Sequence, residues 1–362
     1  MWAALQNFGW QLPGTALTAL QWHAHEMIYG YAMAVVAGFL LTSVRNWTGQ
    51  PTATGWLLAL LLLSWLIARL LPLTALPLAI ILMAVFDGLF LFGMIVNIVV
   101  PIIRTAQWRH STIVVALVLL LVSNALFYLG LTDIVSDGVR MGIYSGLYLI
   151  IFLIILLGRR VIPFFIERAA VTSAPVKNWQ WPDRANVPLF FLFWFVDVFI
   201  RYPLLSGVLA AALFIVHGLR LCGWYQAAIW RTPMLWILLL GYASIVLGFG
   251  LKAASVFLGT SPFLAVHAFA YGGIGMVTTG MMARVALGHT ARDVYSPPAA
   301  VPAIFYLLCA GTVFRVLAPL VFPALYTWWL GLAQAMWITA FLLFVWSYAG
   351  VLCRPRLDGK PG

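Results

Sequence analysis

Residues 57–63 read LLALLLL and residues 149–157 read LIIFLIILL. Neither run holds a polar side chain, and neither alternates. The strands of a membrane barrel would alternate apolar and polar at every second residue. These runs therefore belong to helices. A bilayer core about 30 Å thick takes about 20 residues at a rise of 1.5 Å. Read outward on that rule, the chain gives eleven candidate spans. They cover roughly residues 24–44, 56–73, 76–100, 111–132, 141–158, 187–201, 203–221, 233–250, 262–283, 299–318 and 325–350. The sixth is short, and Pro203 separates it from the seventh.

Composition leads to the same class. Of 362 residues, 64% are apolar and 8% are charged, with 20 basic and 9 acidic side chains. An ordinary soluble domain is about 25% charged. No soluble fold of this size hides so much apolar surface. A soluble enzyme, a disordered chain and a fibrous protein are excluded. The expected fold is all-α: a polytopic helical membrane protein of about eleven spans.

The net charge of +11 would suggest nucleic acid in a soluble protein. Here the basic residues stand singly between apolar runs, so no nucleic-acid partner is expected and the surrounding partner is membrane lipid. Fifteen Lys and Arg fall in the connections after the odd-numbered spans, and five in the others. That bias places the fifteen on the cytoplasmic side. The C-terminus is then cytoplasmic and residues 1–21 lie outside, in the periplasm if the source is a Gram-negative bacterium, whose inner membrane is then the setting. The stretch 159–186, RRVIPFFIERAAVTSAPVKNWQWPDRAN, reads as a cytoplasmic loop between a first helix group (1–158) and a second (187–362). Residues 1–21 carry no charged leader region, so no signal peptide is expected. Cys222, Cys309 and Cys353 form no Cys-x-x-Cys motif, which leaves zinc knuckles and iron–sulfur clusters unsupported.

Ionisable residues inside spans are expensive and are functional candidates. Asp197 and Arg201 stand at i, i+4 and can neutralise each other. Asp87 has no charged neighbour within a helical turn. It must find a partner on another helix, stay protonated, or face water. Of six histidines, His110 lies in a connection, where it reads as solvated. His23, His25 and His267 fall near the outer ends of their spans, in one layer. His217 and His289 belong to the inner side. Imidazole binds copper, zinc and haem iron. On a regular helix, His23 and His25 point about 200° apart and cannot grip one ion. Either the segment is extended there, or the two serve different sites. The rival reading is a set of satisfied interfacial histidines. Glu26 could orient an imidazole or relay protons. Gly272, Gly273, Gly275 and Gly280 admit either close helix packing or a flat cofactor.

Three stretches resemble the NnrS family of bacterial membrane proteins. They are WHAHEMIYGYAMAVVAGFLLTSVRNWTGQP at 22–51, GRRVIPFF at 158–165, and HAFAYGGIGMVTTGMMARVALGHTAR at 267–292. The likeness runs through nearly the whole chain, in order. It implies about twelve transmembrane helices, haem b and copper, and a link to nitric oxide, nitrosative stress and denitrification. Family members usually begin with one further helix, so a first helix is expected to be absent here. Leu239 stands where family members often carry a His.

The family motif residues carried over are His23, His25, Glu26, Asn46, Trp47, Arg160, Pro163, His267, Arg284, His289 and Arg292. Within that resemblance, the haem pair is expected to be His25 with His267, and His23 is the first copper candidate, beside His25 and His267. His217 and His289 are the alternative haem set. Arg284 and Arg292 could pair with propionates if haem lies on the inner side. Glu26 and Asp87 are candidates for proton transfer. The expected function is protection against nitric oxide, with redox processing at haem as its possible chemistry. A proton-coupled transporter or channel and a non-catalytic nitric oxide or metal sensor are the rivals.

Overall fold

The computed structural model describes residues 17–169 and 176–359. Most of the segment 1–21 assigned to the outside thus falls outside the described residues. The described residues contain helices and no strand. The helices are α1 (Ala19–Thr48), α2 (Trp56–Leu73), α3 (Ala79–Arg104), α4 (Trp108–Leu131) and α5 (Gly138–Arg168). After them come α6 (Gln180–Phe195, prolonged by a π-turn Val196–Ile200), α7 (Pro203–Trp224) and α8 (Pro233–Phe257). The last three are α9 (Pro262–His289), α10 (Val301–Val321) and α11 (Pro323–Leu352).

All eleven expected segments are helical. Among the described residues, ten are long and apolar enough to cross a membrane. The exception is α6, the short sixth span, which carries Asp183, Arg184 and Asp197. The polar stretch 159–186 is less loop-like than its composition suggests. Residues 159–168 continue α5, and 180–186 open α6. Charge alone does not break a helix when arginine is a good helix former.

The chain divides into two compact units, Met1–Leu153 and Ile154–Gly362. In the first, α1 starts from a capping box. Thr18 accepts from the Gln21 amide, and Gln21 accepts from the Thr18 amide. It stops at Gly49, whose φ of 66° suits a residue without Cβ. Helix α3 packs on α1, α2 and α4. The outward face of α2 is bare leucine, including Leu58, Leu62 and Leu63. In water such a face would be an aggregation patch; in a bilayer it meets lipid tails. The start of α5 carries Gly138, Gly142 and Gly146 at intervals of four. A Cβ on Gly142 would lie 2.6 Å from the Ser123 carbonyl oxygen, and one on Gly146 would lie 2.6 Å from the Tyr29 hydroxyl. This stripe brings α5 against α4 and α1.

In the second unit α8 is the most enclosed helix, with α7 and α9 packed on it. The glycines of α9 serve this packing. A Cβ on Gly272 would strike Ser244, one on Gly273 Ile245, and one on Gly280 Ile237. The space beside them is filled by neighbouring side chains, as close helix packing requires. Helix α11 lies at the edge and buries Ala333, Ala340 and Tyr348.

Four π-turns interrupt the helices, at Glu26–Ala32, Val196–Ile200, Ala268–Gly275 and Val313–Leu317. The first contains Glu26, the second Asp197 and the fourth Arg315; the third follows His267 directly. A π-turn widens the helix by one residue and frees a carbonyl, and such turns recur at functional sites.

Candidate functional site

The first unit gathers Glu26, Arg69 and Asp87 at one place. Asp87, buried on α3, accepts from Arg69 Nη2 of α2 at 2.6 Å and from the Tyr128 hydroxyl of α4 at 2.5 Å. The partner that Asp87 required on another helix is therefore Arg69. The same guanidinium reaches back to α1, with its Nε 2.8 Å from Glu26 Oε2. That contact is an ion pair, since Nε is out of line for a hydrogen bond. Buried His25 joins through both ring nitrogens. Its Nε2 is 2.9 Å from Asn124 Oδ1 and 3.5 Å from Asp87 Oδ2, and its Nδ1 is 3.3 Å from Glu26 Oε1. Its ring stacks on Phe127 at 4.5 Å.

Local structure makes room for this cluster. A Cβ on Gly30 would lie 2.8 Å from Glu26 Oε2 and 3.2 Å from Arg69 Nη1, so the glycine leaves room for the pair as it stands. The Gly30 carbonyl, within the π-turn, accepts from Trp65 Nε1 of α2 at 3.0 Å. An apolar layer of Leu17, Leu71, Met83 and Phe127, with Trp22, packs against the cluster at Tyr128.

His23 and His25 lie on one helical turn of α1, not on an extended segment. The open choice at His-x-His is thus decided: the two rings take different faces of the helix. Among the described residues, no three His, Cys, Asp or Glu side chains are disposed to hold one metal ion. His110 also departs from its reading as a solvated residue. It is buried, and its ring stacks on Trp47 at 4.4 Å. The apolar ring of Trp47 covers it, and the Trp47 carbonyl accepts from Gln107 at 2.6 Å.

The second unit holds the other candidates. His217 is buried on α7. Its Nδ1 is 2.8 Å from the Tyr242 hydroxyl of α8, and its ring lies against Phe249. Its Nε2 has no hydrogen-bond partner. Arg220, one turn on, donates to Tyr242 at 3.2 Å and to Asp183 of α6 at 2.5 Å. Arg159 of α5 holds the other oxygen of Asp183 at 2.5 Å. Leu239 is buried one turn before Tyr242 on α8.

His267 is half-buried at the entry to the third π-turn. Its Nδ1 donates to the Phe263 carbonyl at 2.7 Å, and its Nε2 lies 3.0 Å from Arg315 Nη2. His25 and His267 belong to different units, and each has both ring nitrogens engaged. His289, the last residue of α9, is exposed. Arg284 lies over the Phe165 ring at 3.8 Å, with its Nη1 unpartnered. Arg292 is spent on the Thr290 and Val351 carbonyls, each at 3.4 Å, and so ties the end of α9 to that of α11. Just beyond, the Tyr295 amide and then the Ser296 hydroxyl hold the exposed Asp293 carboxyl below its ordinary range. Asp197 pairs with Lys252 at 2.6 Å and accepts from Ser206 at 2.5 Å, while Arg201 leaves the helix at a φ of 59°.

Sequence reasoning missed Arg69, Tyr128 and Asn124 in the first unit, and Tyr242, Asp183 and Arg220 in the second. Arg69 carried a usable signal, as a formal charge four residues from the end of an apolar span, and so did Arg220 near the end of the seventh.

The profile of the family described as NnrS protein matches residues 1–356. The chain belongs to the NnrS family. No curated protein matches it. Membership, with ten candidate spans, makes it a multi-pass membrane protein of the nitric oxide response in general.

Proposed function

We propose that the protein binds haem b through His217 and protects the cell against nitric oxide by redox processing at that haem. The observation that carries this reading is the Nε2 of His217, a fully buried imidazole nitrogen without a partner. Buried polar atoms are normally satisfied. A metal-ligating histidine typically offers one nitrogen while the other is oriented by a hydrogen bond. The Tyr242 hydroxyl at Nδ1 gives that orientation. When bound, haem iron supplies a coordination position for a diatomic ligand and a route for electrons.

The residues divide the remaining work. Tyr242 fixes the imidazole, and Arg220 and Asp183 fix Tyr242. Arg284 brings a guanidinium nitrogen without a partner, suited to a propionate. Nitric oxide is small and neutral, so the apolar surroundings of Phe249 admit it without a polar path. The expected pair of His25 with His267 is a poorer fit, because ligation would displace hydrogen bonds at both rings. Copper at His23, His25 and His267 lacks a grouped set of donors among the described residues, so no step is assigned to it.

The test is a reduced-minus-oxidised spectrum of the purified full chain, with iron counts. The wild type should show a b-type haem perturbed by nitric oxide, and His217→Ala should lose it. Full haem in His217→Ala, with loss in His25→Ala, would overturn the assignment. Consumption of nitric oxide with an electron donor then separates processing from sensing.

A further inference from the structure

Two guanidiniums stand close together where α5 and α9 end, with no carboxylate paired to either among the described residues. Arg284 lies five residues before the end of α9, about 7.5 Å into the helix at 1.5 Å per residue. It is 8% exposed, its Nη1 has no partner, and its guanidinium covers the Phe165 ring at 3.8 Å. Arg168, the last residue of α5, is near enough to repel it. We propose that Arg284 and Arg168 form a binding site for an anionic phospholipid, with the lipid phosphate held between the two guanidiniums. The site goes beyond the haem reading and does not depend on it, because that reading rests on His217.

Three observations carry it. The first is charge. Among the described residues, the ion pairs involve neither guanidinium. The acids nearest in sequence are otherwise engaged. Glu167 accepts from the Val176 amide at 3.2 Å, and Asp293 accepts from the Tyr295 amide at 2.9 Å and the Ser296 hydroxyl at 2.8 Å. Buried charges are normally paired, so these two cations call for an anion from outside the chain. The second is the donor set. Guanidinium meets phosphate oxygens through its fork of N–H donors, and Arg284 still has Nη1 to give. The third is the apolar surround. Phe165 lies against Arg284, and Arg168 lies over the ring of exposed Phe164 at 5.7 Å. Tyr295, which also interacts with the Arg284 guanidinium, is exposed too. Inorganic phosphate gains nothing from such rings, whereas a phospholipid brings acyl chains to cover them. Basic pockets between membrane helices are a recurrent seat for anionic headgroups.

Other arginines of the second unit lack this combination. Arg159 and Arg220 share the carboxylate of Asp183. Arg292 is tied to the Thr290 and Val351 carbonyls. Arg354 stands exposed beyond α11. Arg284 Nη1 serves one anion at a time, so a lipid phosphate and a haem propionate are competing occupants of that nitrogen. The haem reading survives the loss of Arg284; the lipid site does not.

Native mass spectrometry of the full chain in detergent, titrated with anionic phosphatidylglycerol or zwitterionic phosphatidylcholine, tests the proposal. The wild type should retain phosphatidylglycerol at concentrations where phosphatidylcholine is lost. Arg284→Gln and Arg168→Gln should each weaken that retention about tenfold, since each removes a charged hydrogen-bond donor. Arg354→Gln lowers the net charge by the same amount and should leave it unchanged. His217→Ala should keep the lipid even where haem is lost. Equal retention of the two lipids by the wild type overturns the proposal, even if the variants fail to fold. So does inorganic phosphate that displaces the lipid at equal concentration, which would make this a site for the free anion. Loss of haem from Arg284→Gln with unchanged lipid retention would give the guanidinium to a propionate and overturn the lipid site.

Discussion

Arg69 decides whether two carboxylates can stand together within the span layer. It touches Glu26 at 2.8 Å and Asp87 at 2.6 Å, and is itself largely buried. Removing one partner of a buried ion pair costs about 3–5 kcal/mol, because the charge left behind is unpaired. Arg69→Met leaves two carboxylates without their cation, so the expected loss lies at or above that range. Denaturant titration of the purified variant against the wild type measures it, and a loss below about 1 kcal/mol would show that the pairing is weak. The sequence revealed the need at Asp87 but not the solution. A charge inside an apolar run announces that it must be compensated, yet Arg69 and Tyr128 stand 18 and 41 residues away. No local pattern links them. His25 was legible as a special residue with Glu26 beside it, whereas Asn124 was not, because it is neutral and lies in an otherwise apolar helix.

At the scale of elements, the spacing of glycines carries the packing. Period four in Gly138, Gly142 and Gly146 is a signal of close helix approach that the residue order itself contains. Gly142→Ala would place a methyl 2.6 Å from the Ser123 carbonyl oxygen and 2.7 Å from the Phe127 amide nitrogen. Backbone cannot step aside as a flexible side chain can. Overpacking should cost about 1–3 kcal/mol or more. Gly88, on α3, has nothing within 4 Å of an added Cβ. There Gly→Ala should stabilise by about 0.5–1 kcal/mol through backbone entropy. Thermal unfolding of both variants in one detergent gives the comparison; equal and small effects would show that the α4–α5 contact is loose. Helix existence was legible throughout, since a run of some 20 apolar residues needs an internally bonded backbone in lipid. The four π-turns were not. The first takes a tertiary partner for one of its carbonyls, Trp65 at Gly30, and propensity has no term for that.

At the scale of the whole molecule, the distribution of charge carries an expectation of which way the chain faces. Basic side chains crowd one set of helix ends, fifteen against five. Lys and Arg resist translocation, so those ends are expected on the cytoplasmic side. The structure adds a separate reason to expect that side to remain wet and basic. Arg159 and Arg220 share one carboxylate, Asp183, leaving a surplus of positive charge at the ends of α5 and α7. A native reporter stands at the same set of ends: Cys353, exposed immediately after α11. A membrane-impermeant maleimide should label Cys353 in inside-out vesicles and leave it unlabelled in right-side-out vesicles or intact cells. Cys222, also exposed and two residues before the end of α7, should follow the same side. A Cys222→Ser variant isolates the first signal. Labelling of Cys353 from the outside would reverse the orientation.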